Sequence, residues 1–246
     1  MRKIKVGTVS YLNAKPLIWG FEQGMMSDRV ELIPDYPSRI AAMLVDDEID
    51  LGLVPVAIIP RLKDSYIISD YCIGAEGEVA SVCLFSDVPL EEVEEVLLDY
   101  QSRTSVSLAR LLLKEYWKLN PVLTDAKEDF RKHIKGRTAG LVIGDRAFEQ
   151  RPLSAYRYDL GQAWKQHTGL PFVFAAWIAN KKLDAGFITD FNKATGMGLQ
   201  HLEDVIAQYP CSLFDIRKYY TQHISYQLTD EKRKGLGLFL TRMGKH

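Results

Sequence analysis

The feature that most restricts this chain is a regular exchange of strand-like and helix-like segments over its first ninety residues. Ile4–Val9 alternates with period two, and Ala14–Gln23 follows as a helix with Pro16 in its first turn, where no N–H is needed. Val30–Ile33 reads as a second strand. Pro37-Ser38 then opens the helix Arg39–Asp46, with Ile40, Met43 and Leu44 on one face. Leu51–Val54 is a third strand, Val56–Leu62 a short helix and Tyr66–Ile73 a further strand. Such alternation predicts a parallel sheet with helices on both faces.

A second series follows. Glu78–Phe85 is strongly β-forming and bounded by Gly74, Gly77 and Ser86-Asp87, and Val96–Asp99 is a short strand. Val106–Trp117 carries Leu108, Leu111, Leu112 and Tyr116 at helical spacing. Pro121–Thr124, a helix near Lys127–Ile134, and Thr138–Ile143 continue the alternation. Leu160–His167 is helical and ends at Thr168-Gly169, and Phe172–Ala179 is the last strong strand. From Asp184 onward only helical patterns occur. The last begins at Thr229-Asp230-Glu231 and bears Leu236, Phe239, Leu240 and Met243 as its apolar stripe. The pattern predicts an α/β protein of two lobes with a cleft between them. Residues 1–80 and 180–246 form lobe 1 and residues 86–171 form lobe 2, with crossovers at 81–85 and 172–179.

Charge narrows the partners. With a formal net charge of −1, the chain lacks the cationic surplus of a nucleic-acid or membrane binder, so neither is expected. A small acidic ligand needs only local donors. No apolar run reaches the roughly 18 residues of a membrane span. The opening MRKIKVGTVSYLNAKPL mimics a secretory leader, but Lys5 and Gly7 interrupt its apolar run, so a cytoplasmic protein is expected. Cys72, Cys83 and Cys211 fit no zinc or redox spacing and read as core or incidental thiols. His133, His167, His201, His223 and His246 share no ligand spacing and read as surface or capping residues, so no metal and no cofactor is expected. Gly196-x-Gly198 lacks the third glycine of a dinucleotide loop, and Glu91–Glu95 reads as a solvated helix face. Phe174 and Trp177 fit either a cleft wall or a core, and Lys15 fits either solvent or a ligand carboxylate.

Helix openings are the informative places, because their free N–H groups and dipole favour anions. Three follow strand ends: Ser10-Tyr11-Leu12-Asn13, Pro37-Ser38 and Ser102-Arg103-Thr104-Ser105. Taken singly, Ser38, Thr104 or Ser105 is a helix cap stabilising by about 1 kcal/mol. Converging on one cleft, the three openings would hold an anion.

The stretch Val9-Ser10-Tyr11-Leu12-Asn13-Ala14-Lys15-Pro16-Leu17 resembles the opening motif of the chorismate dehydratases of the futalosine route to menaquinone. Further matches are Gly77-Glu78-Val79-Ala80-Ser81-Val82, Ser102-Arg103-Thr104-Ser105, Ile143-Gly144-Asp145 and Asp159-Leu160-Gly161 with Trp164. Thr168-Gly169-Leu170-Pro171-Phe172-Val173-Phe174, Trp177 and Tyr226-Gln227-Leu228 complete the set. The match is weaker around Glu22–Asp35. The resemblance implies a two-lobed fold of the periplasmic-binding-protein type 2 and a carbon–oxygen lyase, a hydro-lyase that removes water from chorismate to give 3-[(1-carboxyvinyl)oxy]benzoate. It also implies Asn13 and Ser81 as catalytic residues. Ser10, Tyr11, Ser38, Ser102, Arg103, Thr104, Ser105 and Asp145 would bind the substrate, with Arg103 and the helix openings meeting its carboxylates. Neither Asn13 nor Ser81 is a base at neutral pH, so the side-chain carboxylate of chorismate is expected to take the ring proton; Asp145 or Glu78 is the alternative. Two other readings stand beside this one: a non-catalytic binding module for a small carboxylate, and the sibling 1,4-dihydroxy-6-naphthoate synthase. The sibling's Pro-Asn-Asp opening is absent here, where Tyr11-Leu12-Asn13-Ala14 stands.

Overall fold

The computed structural model describes residues 2–244. Its first half follows the expected alternation: β1 (Ile4–Val9), α1 (Lys15–Glu22), β2 (Val30–Asp35), α2 (Pro37–Val45), β3 (Leu51–Pro55) and β4 (Tyr66–Ala75). Next come β5 (Val82–Ser86), β6 (Glu95–Leu98), α3 (Thr104–Glu115), β7 (Val122–Asp125), β8 (Thr138–Ile143), α4 (Asp145–Gln150), β9 (Tyr156–Asp159) and α5 (Leu160–Thr168). The chain ends with β10 (Phe172–Ala179), α6 (Ala185–Gln200), α7 (Leu202–Gln208), α8 (Ile216–Lys218), β11 (Ser225–Gln227) and α9 (Asp230–Met243).

These strands build two sheets, and neither is wholly parallel. The larger has the order β11-β4-β10-β3-β1-β2; β1 runs parallel to β2 and β3, but β10 lies antiparallel between β3 and β4. The smaller has the order β7-β6-β8-β5-β9, with β6 parallel to β7 and β8 while β5 opposes β8 and β9. All eight residues of β10 are buried, as its unbroken run Phe172-Val173-Phe174-Ala175-Ala176-Trp177-Ile178-Ala179 requires of a central strand. The expectation of a parallel sheet is corrected by this insertion, which period-two alternation cannot foresee.

The segments expected to cross between lobes, 81–85 and 172–179, are for the most part sheet strands. Residues 82–86 belong to the smaller sheet and 172–179 to the larger, so the chain passes from one sheet to the other over residues 76–81 and returns somewhere within 160–171. The first crossing is a tight turn. Ala80 sits at φ 65°, and the Asp159 carboxylate, capping α5 through Gln162 N at 3.0 Å, also accepts from Val79 N at 3.1 Å and Ala80 N at 2.8 Å. Burial pushes the Asp159 carboxyl up, against the pull of those N–H donors.

Several smaller expectations need correction. No α-helix forms near Lys127–Ile134: only Arg131–His133 makes a 3-10 turn, because Phe130 and Ile134 are the only buried anchors there and they pack beneath Gly140. Glu91–Glu95 is mostly exposed but not helical, running from a 3-10 turn into β6. His223 is buried rather than superficial, while His246 lies outside the described residues. β11 interrupts the helical tail.

α1 and α6 cross where glycine lets two backbones meet. A Cβ on Gly20 would stand 2.2 Å from Ala194 O, and one on Gly198 would stand 2.3 Å from Pro16 O, which explains Gly196-x-Gly198 as a packing seam. Gly237, in contrast, lies in α9, and a Cβ there would meet nothing within 4 Å. Gly20→Ala should therefore destabilise by about 1–3 kcal/mol through overpacking. Gly237→Ala should stabilise by up to about 1 kcal/mol through helix propensity. Urea unfolding midpoints measured side by side check both signs.

Candidate active site

The carboxyl ends of β1, β2, β3, β6 and β8 face one another across the gap between the sheets, the place where open α/β sheets bind ligands. A cavity of about 50 Å³ lies there. All three expected helix openings reach it: Tyr11 and Asn13 from the first, Pro37 from the second, and Ser102, Thr104 and Ser105 from the third. Phe174 and Gly144 also line it, while Trp177 packs into the core against Phe21 and Phe191.

Each expected residue has a specific place. Ser102 Oγ accepts from Ser105 N at 3.1 Å, engaging a free N–H of the first turn of α3, and the Ser105 side chain is buried at the cavity. Thr104 Oγ1 accepts from Ala57 N at 3.1 Å, and Ser38 donates from Oγ to Tyr100 O at 3.0 Å and from N to Gln101 O at 3.1 Å. Thr104 and Ser38 therefore stitch residues flanking one sheet to residues flanking the other. Ser10 is exposed and does not line the cavity. Arg103 departs from expectation as well. It is exposed and, at the N-cap of α3, opens onto the adjoining surface cavity with Arg61 and Arg110, on the side away from Thr104 and Ser105.

Asp145 stands one layer behind the cavity. Its carboxylate accepts from Leu12 N at 3.1 and 3.3 Å, so the opening of the first helical turn already holds an anion supplied by the chain. Burial raises the Asp145 pKa to about 6, opposed by the Leu12 N–H and by Lys15 and Arg146, with Glu149 adding to the rise. Lys15 itself pairs with Glu22 at 3.6 Å and lies 4.4 Å over the Tyr209 ring. Tyr11 donates to Gln101 Oε1 across the gap, and burial drives its phenol well above the ordinary tyrosine value. The Tyr11 ring also rests on Gly144, whose φ of 64° and the 2.9 Å approach of that ring leave no room for a side chain.

Sequence reasoning missed two residues here. Arg146 donates through Nη2 to both oxygens of the fully buried Asp99, at 2.7 and 2.8 Å, while its buried Nε and Nη1 have no partner among the described residues. The other is Tyr219, fully buried, whose hydroxyl donates to Ser81 Oγ at 2.6 Å and lies beside the Asn13 side chain. Ser81 is fully buried behind the cavity wall, and Asn13 Oδ1 is buried with no partner among the described residues. One phenol thus brings together the two residues expected to be catalytic. The Tyr219-Tyr220 pair signalled this only as apolar residues in a helical stretch.

Comparison with known proteins now decides the family. Residues 4–245 match the family model described as menaquinone biosynthesis. The chain belongs to that family. A chorismate dehydratase of Thermus thermophilus is 26% identical, over 99% of this chain and 96% of the relative. Among solved structures, protein AF1704 of Archaeoglobus fulgidus superposes with a TM-score of 0.77 at 12% identity, covering 99% of this chain and 97% of that one. The CA3427 gene product of Candida albicans, described as having the generic periplasmic-binding-protein fold, gives 0.62 at 12% identity, covering 100% and 91%. The periplasmic aliphatic sulphonate binding protein of Escherichia coli gives 0.59 at 13%, covering 98% and 88%. These likenesses identify the two-lobed binding-protein fold. Among the described residues, no helix is long and apolar enough to cross a membrane, and no group of three or more His, Cys, Asp or Glu could hold a metal ion.

The raised pKa of Asp145 has a signed consequence. Between about pH 4 and pH 6 the fold holds a proton that the unfolded chain has released, so this group's contribution to stability falls as pH rises through that window. Asp145→Asn keeps an acceptor for Leu12 N and removes the charge. Its melting temperature relative to wild type should climb from pH 4 to pH 6.5 by roughly 2–8 °C, corresponding to about 1–3 kcal/mol. Parallel curves for the two proteins would show that Asp145 ionises in the fold without penalty.

Proposed function

We propose that this chain is a chorismate dehydratase, a hydro-lyase that eliminates water from chorismate to give 3-[(1-carboxyvinyl)oxy]benzoate in menaquinone biosynthesis. The observation that carries the mechanism is the chemistry of the cavity wall. None of its fifteen lining residues is a carboxylate, histidine, lysine or cysteine, and its one titratable side chain, Tyr11, is held protonated by burial. A wall without a base fits a reaction in which the substrate carries its own. The side-chain carboxylate of chorismate takes the ring proton, the ring hydroxyl leaves, and the two together make one water as the ring becomes aromatic. Positioning and hydrogen-bond donation are then all the protein needs to supply.

The donors suit a dicarboxylate. The start of the twelve-residue α3, with the Ser102 and Ser105 hydroxyls, offers one carboxylate-binding end. Asn13, with Ser81 behind it, faces the reacting hydroxyl. Glu78 is half-exposed and paired with Arg151 at 3.3 Å, and Asp145 is engaged by Leu12 N, so neither competes as the base. A cavity of about 50 Å³ is far below the roughly 150 Å³ that accommodates a benzene ring, so the lobes must part to admit a substrate of this size. A cytoplasmic setting fits a biosynthetic enzyme acting on a soluble metabolite.

The test is direct. Purified protein mixed with chorismate should bleach the cyclohexadiene absorbance and develop a benzoate spectrum. Asn13→Ala and Ser81→Ala should each lower kcat by about 10²-fold or more while shifting the melting temperature by only a few degrees. Saturable binding without turnover would make the chain a binding module, and inertness toward chorismate would leave the sibling synthase. Asp145→Ala that binds chorismate but has lost all turnover would overturn the substrate-assisted step.

A further inference from the structure

Residues Tyr219–His223 form a π-turn, an uncommon backbone feature that concentrates at functional sites. This turn delivers two polar side chains to the first crossing: Tyr219 reaches Ser81, and His223 Nδ1 lies 3.2 Å from Glu78 O. The hydroxyl of the intervening Tyr220 is buried with no partner among the described residues. The Tyr219 ring is held edge-on to Phe148, with centroids 5.0 Å apart, and to Phe214 at 6.1 Å. Packing of that kind fixes where its oxygen sits.

Hydrogen-bond counting gives the oxygen a direction. A phenol has one proton, and that of Tyr219 goes to Ser81 Oγ. The Asn13 side chain lies beside the same oxygen, which has no second proton to give and can only accept, so the amide turns its NH₂ toward the phenol and its Oδ1 away. That Oδ1 is buried and has no partner among the described residues. Ser81, having accepted from Tyr219, keeps its own proton, for which no acceptor is found among the described residues. Accepting one hydrogen bond strengthens a hydroxyl as a donor of the next. One acceptor and one donor are thus left over, and an alcohol is the group that satisfies both.

We propose that Tyr219 is a positioning residue for the departing hydroxyl of the substrate: it orients Asn13 Oδ1 to accept a hydrogen bond from that hydroxyl and Ser81 Oγ–H to donate one to its oxygen. The proposal rests on the dehydratase reading above. Donation from Ser81 stabilises negative charge as the C–O bond breaks, and Tyr219 touches neither substrate nor reacting atoms. Ser81 lies behind Val79 and Val82, which line the cavity, so the lobe opening that admits the substrate must also bring Ser81 within reach of it.

Tyr219→Phe keeps the ring and removes only the oxygen. We expect kcat to fall at least 10-fold, KM for chorismate to change less than threefold, and the melting temperature to stay within about 5 °C. The discriminating measurement is a double-mutant cycle with Ser81→Ala. A residue that acts through Ser81 has nothing left to position once Ser81 is gone, so the double variant should be no slower than the slower single variant within threefold. A Tyr219→Phe enzyme with wild-type kcat overturns the proposal. Losses that multiply in the double variant, or a Tyr219→Phe chain that fails to fold, assign the hydroxyl a structural role and overturn it equally. Wild-type protein is assayed alongside: if it leaves chorismate unchanged, the dehydratase reading falls and takes this role with it, whereas wild-type turnover with an unaffected variant removes Tyr219 alone.

Discussion

Everything at the site hangs on one buried carboxylate. Asp159 gathers three backbone N–H groups, one from its own helix and two from the crossing turn at Val79 and Ala80. A buried anion without such donors would be costly, and a left-handed alanine without an anchor would relax. Each removes the other's penalty. Gly161 allows the approach, since a Cβ there would lie 2.5 Å from Gly77 O. With the turn fixed, Ser81 O accepts from Gly144 N at 2.9 Å, and the serine's side chain is aimed at Tyr219. The path from Asp159 to the proposed chemistry is therefore a chain of short contacts through backbone, with no flexible side chain in between.

The charged residues around the cavity form an outer shell rather than a lining. Asp99 with Arg146, and Asp145 with Leu12 N, sit one layer back, where they orient loops at the ends of β6, β8 and β1. The inner layer is neutral: amide, hydroxyls, a protonated phenol and apolar walls. Such a layout lets the guest provide both the charge and the base, while the low dielectric of the walls strengthens each hydrogen bond it makes. Under the proposed function, net charge near zero is no obstacle to a doubly negative substrate, because local donors rather than the surface as a whole would meet it.

How much of this is legible in the sequence follows from how local each signal is. Ile4–Val9, Thr138–Ile143 and Phe172–Ala179 match their strands residue for residue, and the Thr229 cap marks the start of α9, because periodicity and capping are written in neighbouring residues. β9 and β11 carry no such signal: Tyr156-Arg157-Tyr158-Asp159 is an edge strand with half its side chains in solvent, and Ser225-Tyr226-Gln227 is too short for a pattern. The place of β10 between β3 and β4 is invisible, since pairing partners about 100 residues or more apart leave no mark on composition. At the site, the three helix openings can be read from strand–turn–helix order. The outward turn of Arg103 cannot, because it depends on helix phase to within one residue. Tyr219 lies beyond reach for another reason: its partner Ser81 is 138 positions away, and a buried tyrosine looks in sequence like any aromatic core residue.

The insertion of β10 also governs how the molecule comes into being. β3 and β4 are successive in the chain yet never touch as neighbours in the sheet, so a slot between them must stay unfilled until residue 172 has been made. At about 5–20 residues per second, the roughly hundred residues after β4 take some 5–20 s to emerge from a ribosome. Throughout that interval two apolar strand edges lie open, each a template for pairing with a stranger. The smaller sheet, contiguous from 82 to 159, can close on itself in the meantime. The second lobe is thus able to mature first, and the opening motif of the chain, although synthesised earliest, reaches its final setting among the last.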